Sequence, residues 1–175
     1  GIRWDWVTFP EYLASLQRQG VGVNVGSMFA YSPARVWVMG KDEASERARV
    51  TAEELDQILA LFREALDAGA FGFSLNKNMA DRPVTGGFLP THIAADDEFE
   101  AMAKVLGEYG LGGITMTLGV TDDDGRDHLV EKMARASGRP VQFAALNYTD
   151  QDPELYKKQL AWVESAKKEG LSIYG

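Results

Sequence analysis

The amino-acid sequence predicts an α/β protein with a parallel sheet, and three observations carry that expectation. Short apolar runs of strand length recur at Val21–Gly26, Ala70–Leu75, Leu111–Gly119, Pro140–Leu146 and Leu171–Gly175. A stretch with helical spacing leads into each, and the runs opening at Ala70, Gly112, Pro140 and Leu171 come directly after a helix that ends in glycine. The runs are close to continuously apolar, the pattern of strands covered on both faces. Helix-then-strand repetition makes βαβ units.

In chain order, Trp4, Trp6 and Phe9 crowd the opening, and Thr8 with Glu11 fits a capping box with Pro10 in the first turn. The spacing predicts a short helix from there to Gly20, then a strand over Val21–Gly26. From Ser27 to Val50 the pattern is irregular. Val36–Met39 is a short apolar run, and Lys41–Arg49 reads as a charged loop or frayed helix. Thr51 and Glu54 form a second capping box. Leu55, Ile58, Leu59, Phe62 and Leu66 follow at helical spacing up to Gly69.

Residues 76–90 form a long polar connection after the second strand, of a length often tied to function. Asp96 or Asp97 caps the next helix, which carries Phe99, Met102 and Leu106. After the third strand, Asp122, Asp123 and Asp124 lack the spacing and distal glutamate of a calcium loop, so a solvated turn is expected. A helix with Leu129, Val130 and Met133 leads to the fourth strand. Asp152 is expected to cap the last helix, with Pro153 in its first turn.

The chain has 175 residues, enough for one domain with a core. A net charge of −8 argues against a nucleic-acid or anionic-membrane partner, either of which needs a basic face. Cysteine is absent, which excludes disulfides and thiolate metal sites. No apolar run spans a bilayer, and the opening lacks the pattern of a secretory signal, so a cytoplasmic protein is expected.

Parallel α/β folds gather functional groups at the C-terminal ends of their strands. On that rule the candidate substrate-binding residues are Asn24, Ser74, Asn76, Lys77, Thr117 and Asn147, with Ser27, Thr115 and Tyr174 in comparable places. Lys77 suits a substrate carboxylate, and Asn147 follows a buried strand where an amide needs a partner. His92 lies in a loop before a helix, and His128 lies on a helix among charges. No GxGxxG or GxxxxGK[ST] follows any strand, which weakens a nucleotide-binding reading. The remaining choice is a doubly wound sheet or part of a (β/α)8 TIM barrel. A closed barrel needs about 250 residues, so the barrel reading makes this chain a fragment. Such an arc is expected to show an open inner face rich in Val, Phe, Ile and Leu.

At WDWVTFPEYLASL, VNVGSMFAYSPARVWVMG, TAEELDQILALFREALDAGAFGFS and RPVQFAALN the chain resembles the amidohydrolase superfamily, and most the N-acyl-D-amino-acid deacylase branch. The resemblance implies a metal-dependent (β/α)8 barrel that hydrolyses the amide bond of N-acyl amino acids or similar small amides. It implies that residues 1–175 are the central part of that barrel, about strands three to seven. Zinc or another divalent metal is implied for the longer protein. None is expected for this chain alone, because three family histidine positions read differently here: Tyr31, Thr117 or Leu118, and Ala145. The implied partners are a small-molecule substrate and either the rest of the barrel or a homo-oligomer. The replaced histidines leave an alternative open, a barrel without this catalysis that binds a small molecule or a partner.

Overall fold

The computed structural model describes residues 4–84, 86–119 and 126–175, without the side chains of Arg126 and Asp127. Asp122, Asp123 and Asp124 therefore lie outside the described residues. Five parallel strands form one sheet in chain order, β1 to β5: Phe29–Ala30, Gly72–Asn76, Gly113–Thr117, Val141–Ala144 and Ile173–Tyr174. Each strand pairs in parallel with the next. This is the order expected when each crossover brings the chain back beside the strand it has just left. Among the described residues, no helix is long and apolar enough to cross a membrane.

The helices follow the patterns that announced them. Helix α1 (Phe9–Gln19) starts at a complete capping box of Thr8 and Glu11, and α4 (Ala52–Asp67) at one of Thr51 and Glu54. At the start of α4, the Thr51 hydroxyl accepts the Glu54 N–H at 3.2 Å and Glu54 accepts the Thr51 N–H at 2.7 Å. Replacing Thr51 by alanine is expected to cost about 1 kcal/mol, read as a lower urea midpoint with unchanged slope. Helix α6 (Asp96–Tyr109) begins behind Ala95 with no side-chain cap, so neither aspartate caps it. Asp152 lies two residues ahead of the N-cap of the last helix, and Pro153 also precedes the helix instead of standing in its first turn. Asp152 accepts the Glu154 N–H at 3.2 Å, and α8 (Leu155–Lys168) begins behind Glu154.

One strand was expected in the wrong place. Val21–Gly26 is irregular, with Val21, Val23 and Val25 at 51%, 73% and 50% exposure. The first strand is Phe29–Ala30, and its ladder is joined by the Phe71 N–H donating to the Ser27 carbonyl at 2.9 Å. The reason lies in what each segment can bury. Phe29 meets Phe62 with ring centroids 5.3 Å apart, and Phe62 meets Phe73 edge-on at 5.4 Å. A phenylalanine docked in an aromatic cluster outweighs alternating valines separated by glycine. The Val36–Met39 run lies inside helix α2 (Tyr31–Met39), and the charged stretch that follows is helical at α3 (Lys41–Glu46).

The sheet has one apolar face and one polar face. Facing the helices are the aligned rows Phe29, Phe73, Ile114, Val141 and Ile173, then Leu75, Met116 and Phe143, all buried. Helices α6 and α7 (Arg126–Ser137) supply Phe99, Met102, Leu106, Val130 and Met133 to the same core. The other face carries the row Ala30, Ser74, Thr115, Gln142 and Tyr174, then the row Asn76, Thr117 and Ala144. All of these are partly or fully exposed. The expected inner face rich in Val, Phe, Ile and Leu is therefore absent. Within the strands, large apolar residues alternate with polar residues or alanine, and period-two alternation sends the two sets to opposite faces.

Candidate functional site at the open sheet face

The polar face and the C-terminal ends of its strands bring together most of the expected residues. Ser74, Thr115 and Gln142 stand side by side in one row, and Asn76 and Thr117 in the next row towards the strand ends. Among the described residues, the side chains of Ser74, Thr115, Thr117 and Gln142 make no hydrogen bond to one another. Each hydroxyl and the glutamine amide can both donate and accept. The array is therefore neutral and suited to a ligand that carries both kinds of group.

Asn76 is held in place. Its amide donates to Asp81 Oδ2 at 2.7 Å, and its carbonyl accepts the Asn78 N–H at 2.7 Å. Two bonds of this kind fix the side chain before any ligand arrives. Lys77 turns to the opposite side of the strand and is buried. Its ammonium donates to the Ala94 carbonyl at 3.2 Å and lies 4.8 Å from the Phe99 ring centre. This geometry ties Lys77 to the joint between β2 and α6. Asn147 is half-buried beyond β4. Its side chain donates to the Ala145 carbonyl at 2.7 Å, and its N–H donates to Gln159 Oε1 at 2.7 Å. The side-chain amino group thus has an acceptor two residues back, and the backbone N–H ties this segment to α8.

Asn24 does not belong to this set. It is exposed and precedes β1, so it approaches the sheet from the N-terminal side and not from the end where the others gather. Its expected place depended on a strand over Val21–Gly26. Ser27 precedes β1 for the same reason.

His92 and an aromatic–arginine stack flank the connection after β2. His92 lies in the single-turn helix α5 (Pro90–Ile93) and not in a loop. Its ring meets Phe88 edge-on at 6.3 Å, and the Arg82 guanidinium lies 4.4 Å from the Phe88 ring centre. Behind the sheet, Tyr31, Arg35 and Glu98 form a buried network. Arg35 Nη1 reaches Glu98 Oε2 at 3.1 Å, Tyr31 donates to the same oxygen, and Arg35 Nη2 donates to the Arg47 carbonyl at 2.5 Å. Burial, and then the Glu98 charge, push the Tyr31 hydroxyl well above the usual tyrosine range. The network lies on α2 and α6, where an arginine in an apolar helix was the only signal in the sequence.

Away from the polar face, a hollow of about 670 Å³ opens between α1, α2 and the edge of β1, lined by Trp4, Trp6, Phe9, Tyr12, Phe29 and Trp37. The crowding of aromatics at the start of the chain was its sequence signal.

The positions where the resemblance calls for histidine ligands hold other chemistry. Tyr31 is in the core network, Thr117 offers a hydroxyl on the open face, Leu118 is buried, and Ala145 offers only backbone. Zinc is held mainly by imidazole, thiolate and carboxylate groups, so these residues do not fit a zinc site. Among the described residues, no three His, Cys, Asp or Glu side chains cluster as a metal site would need.

Comparison with known proteins gives a short stretch of similarity. No family model matches the chain, and no solved structure matches it. Uncharacterized proteins from Mycobacterium bovis and from two strains of Mycobacterium tuberculosis are each 37% identical to it over 70 residues. That stretch is 39% of this chain and only 12% of each relative, so what the chain is similar to is a small part of a longer protein.

Proposed function

We propose that this chain is the central arc of a (β/α)8 barrel in a longer, amidohydrolase-like protein, and that its polar sheet face binds a small amide such as an N-acyl amino acid. The observation that carries the reading is the neutral array of Ser74, Thr115, Gln142, Asn76 and Thr117 on the face that the helices leave uncovered. Parallel strands in chain order suit an arc of a barrel, and a barrel's ligand lies at the C-terminal ends of its strands. An amide offers one acceptor and one donor, the pair that hydroxyl and carboxamide side chains meet best. The sequence resemblance adds the reaction class, hydrolysis of the amide bond. No catalytic step is assigned to these residues, since none of them is a ligand for the metal that the resemblance implies.

A second reading is favoured by Tyr31, which stands in the core at a position where the resemblance calls for a histidine. In this reading the face binds the same small molecules without hydrolysing them.

The test uses the full-length protein that carries this chain and N-acetyl amino acids as probes, with hydrolysis followed by amine release and binding by calorimetry. Hydrolysis supports the first reading, and binding without hydrolysis supports the second. Thr117→Val keeps shape and removes one hydrogen bond, so affinity should fall about fivefold to tenfold, in line with about 1 kcal/mol for such a bond. Absence of both binding and hydrolysis, or binding unchanged by Thr117→Val, would overturn the assignment of this face.

A further inference from the structure

His92 is held in an unusual way. Its Nδ1 accepts the Leu89 N–H at 3.3 Å. A neutral imidazole with an accepting Nδ1 carries its hydrogen on Nε2. Nε2 is buried and turned towards the Asn78 carbonyl without closing a well-formed hydrogen bond to it, and the buried hydroxyl of the adjacent Thr91 has no partner among the described residues. Buried polar atoms in native proteins nearly always find partners, so two such atoms in one helical turn call for a reason.

The surroundings of the ring are electropositive. The end of β2 brings Lys77, and the connection after it brings Arg82, opposed by Asp81 and the Asn78 carbonyl. Of the other elements against α5, α2 carries Arg35, which is committed to Glu98 of α6 and to the Arg47 carbonyl. Helix α3 carries Lys41, Asp42, Glu43 and Glu46, all exposed. Asp81 is the one carboxylate that favours a second proton on the ring, and burial with the two cations outweighs it.

We propose that His92 is a proton-operated latch: the neutral ring holds the Leu89 N–H, and with it the Phe88–Arg82 stack, against the end of β2, and protonation releases them. Once protonated, Nδ1 is itself a donor and faces the Leu89 N–H donor to donor. The charged ring is also desolvated and lies near two cations. Opening the turn removes these penalties and lets both ring nitrogens reach water. Burial first, then Arg82 and Lys77, hold the His92 pKa below its ordinary 6.5. The closed turn thus binds fewer protons than the open one. It is at full strength above about pH 6.5 and weakens as pH falls through the lowered value. Asn76 and Asp81 share this connection, so the latch sets one rim of the polar face. The inference is independent of whatever ligand that face takes.

The experiment is amide hydrogen exchange on the full-length protein between pH 7.5 and 5.0, corrected for intrinsic rates, for wild type and His92→Gln. Opening at Phe88 and Leu89 in the wild type should rise by up to about tenfold per pH unit below 6.5. His92→Gln, which cannot take up the proton, should give a flat profile, and Ile114 in β3 should stay protected in both. A pH-independent wild type, the same pH dependence in His92→Gln, or an equal rise at Ile114 would overturn the latch.

Discussion

Replacing Glu98 by alanine should lower the unfolding free energy by about 3–5 kcal/mol, the usual cost of stranding one partner of a buried ion pair. Arg35 is fully buried, and its guanidinium would keep the Arg47 carbonyl, the Tyr31 hydroxyl and the Met39 sulfur as neighbours, none of them charged. The Tyr31 hydroxyl would lose its acceptor in the same step. Urea unfolding of the full-length protein followed by far-UV circular dichroism reads the change. The double replacement Arg35→Met with Glu98→Leu should be much milder, because it removes both charges together. A loss below about 1 kcal/mol for Glu98→Ala would show that water enters the network and that the pair is not a desolvated one.

Gly72→Ala should be comparably damaging. Gly72 opens β2 at φ 118°, and an added Cβ would lie 1.8 Å from the Gly113 carbonyl oxygen of the paired strand. Neither backbone can yield without breaking the ladder between β2 and β3. Two costs combine: about 1–3 kcal/mol for holding alanine in that conformation, and about 1–3 kcal/mol or more for the overpacking. Gly69→Ala separates them, since Gly69 also has a positive φ, 103°, but open space around it. The expected order of unfolding midpoints is wild type, Gly69→Ala, Gly72→Ala. Equal midpoints for the two variants would mean that the strands part more easily than their spacing implies.

Both capping boxes, helix α4, and strands β2 to β5 were legible because each carries a local signal. Thr and Glu three residues apart mark a helix start, glycine marks a stop, and a compact apolar run marks a buried strand. The first strand was not legible, since Val21–Gly26 has the stronger local β preference and only the docking of Phe29 on Phe62 decides against it. The same limit hid the buried ion pair. Arg35 and Glu98 lie 63 residues apart, and nothing local joins them. The rule that parallel sheets work at their C-terminal ends picks out Ser74, Asn76 and Thr117, and the strand register sets the three on one face. Asn24 was lost when its strand moved, and Lys77 is fastened to the Ala94 carbonyl behind the sheet.

The strand register also shapes the polar face as terrain. Along the lower row, from β1 to β5, the side chains grow steadily: Ala30, Ser74, Thr115, Gln142, Tyr174. Along the upper row they shrink in the same direction: Asn76, Thr117, Ala144. Two slopes that run against each other leave low ground at opposite corners, over Ala30 and Ser74 below and over Ala144 above. By side-chain size alone, the lowest path between those corners runs obliquely across the strands, past Thr115 and Thr117. An elongated guest would lie along that diagonal, one end over β1 and the other over β4, and its midpoint would rest between two hydroxyls.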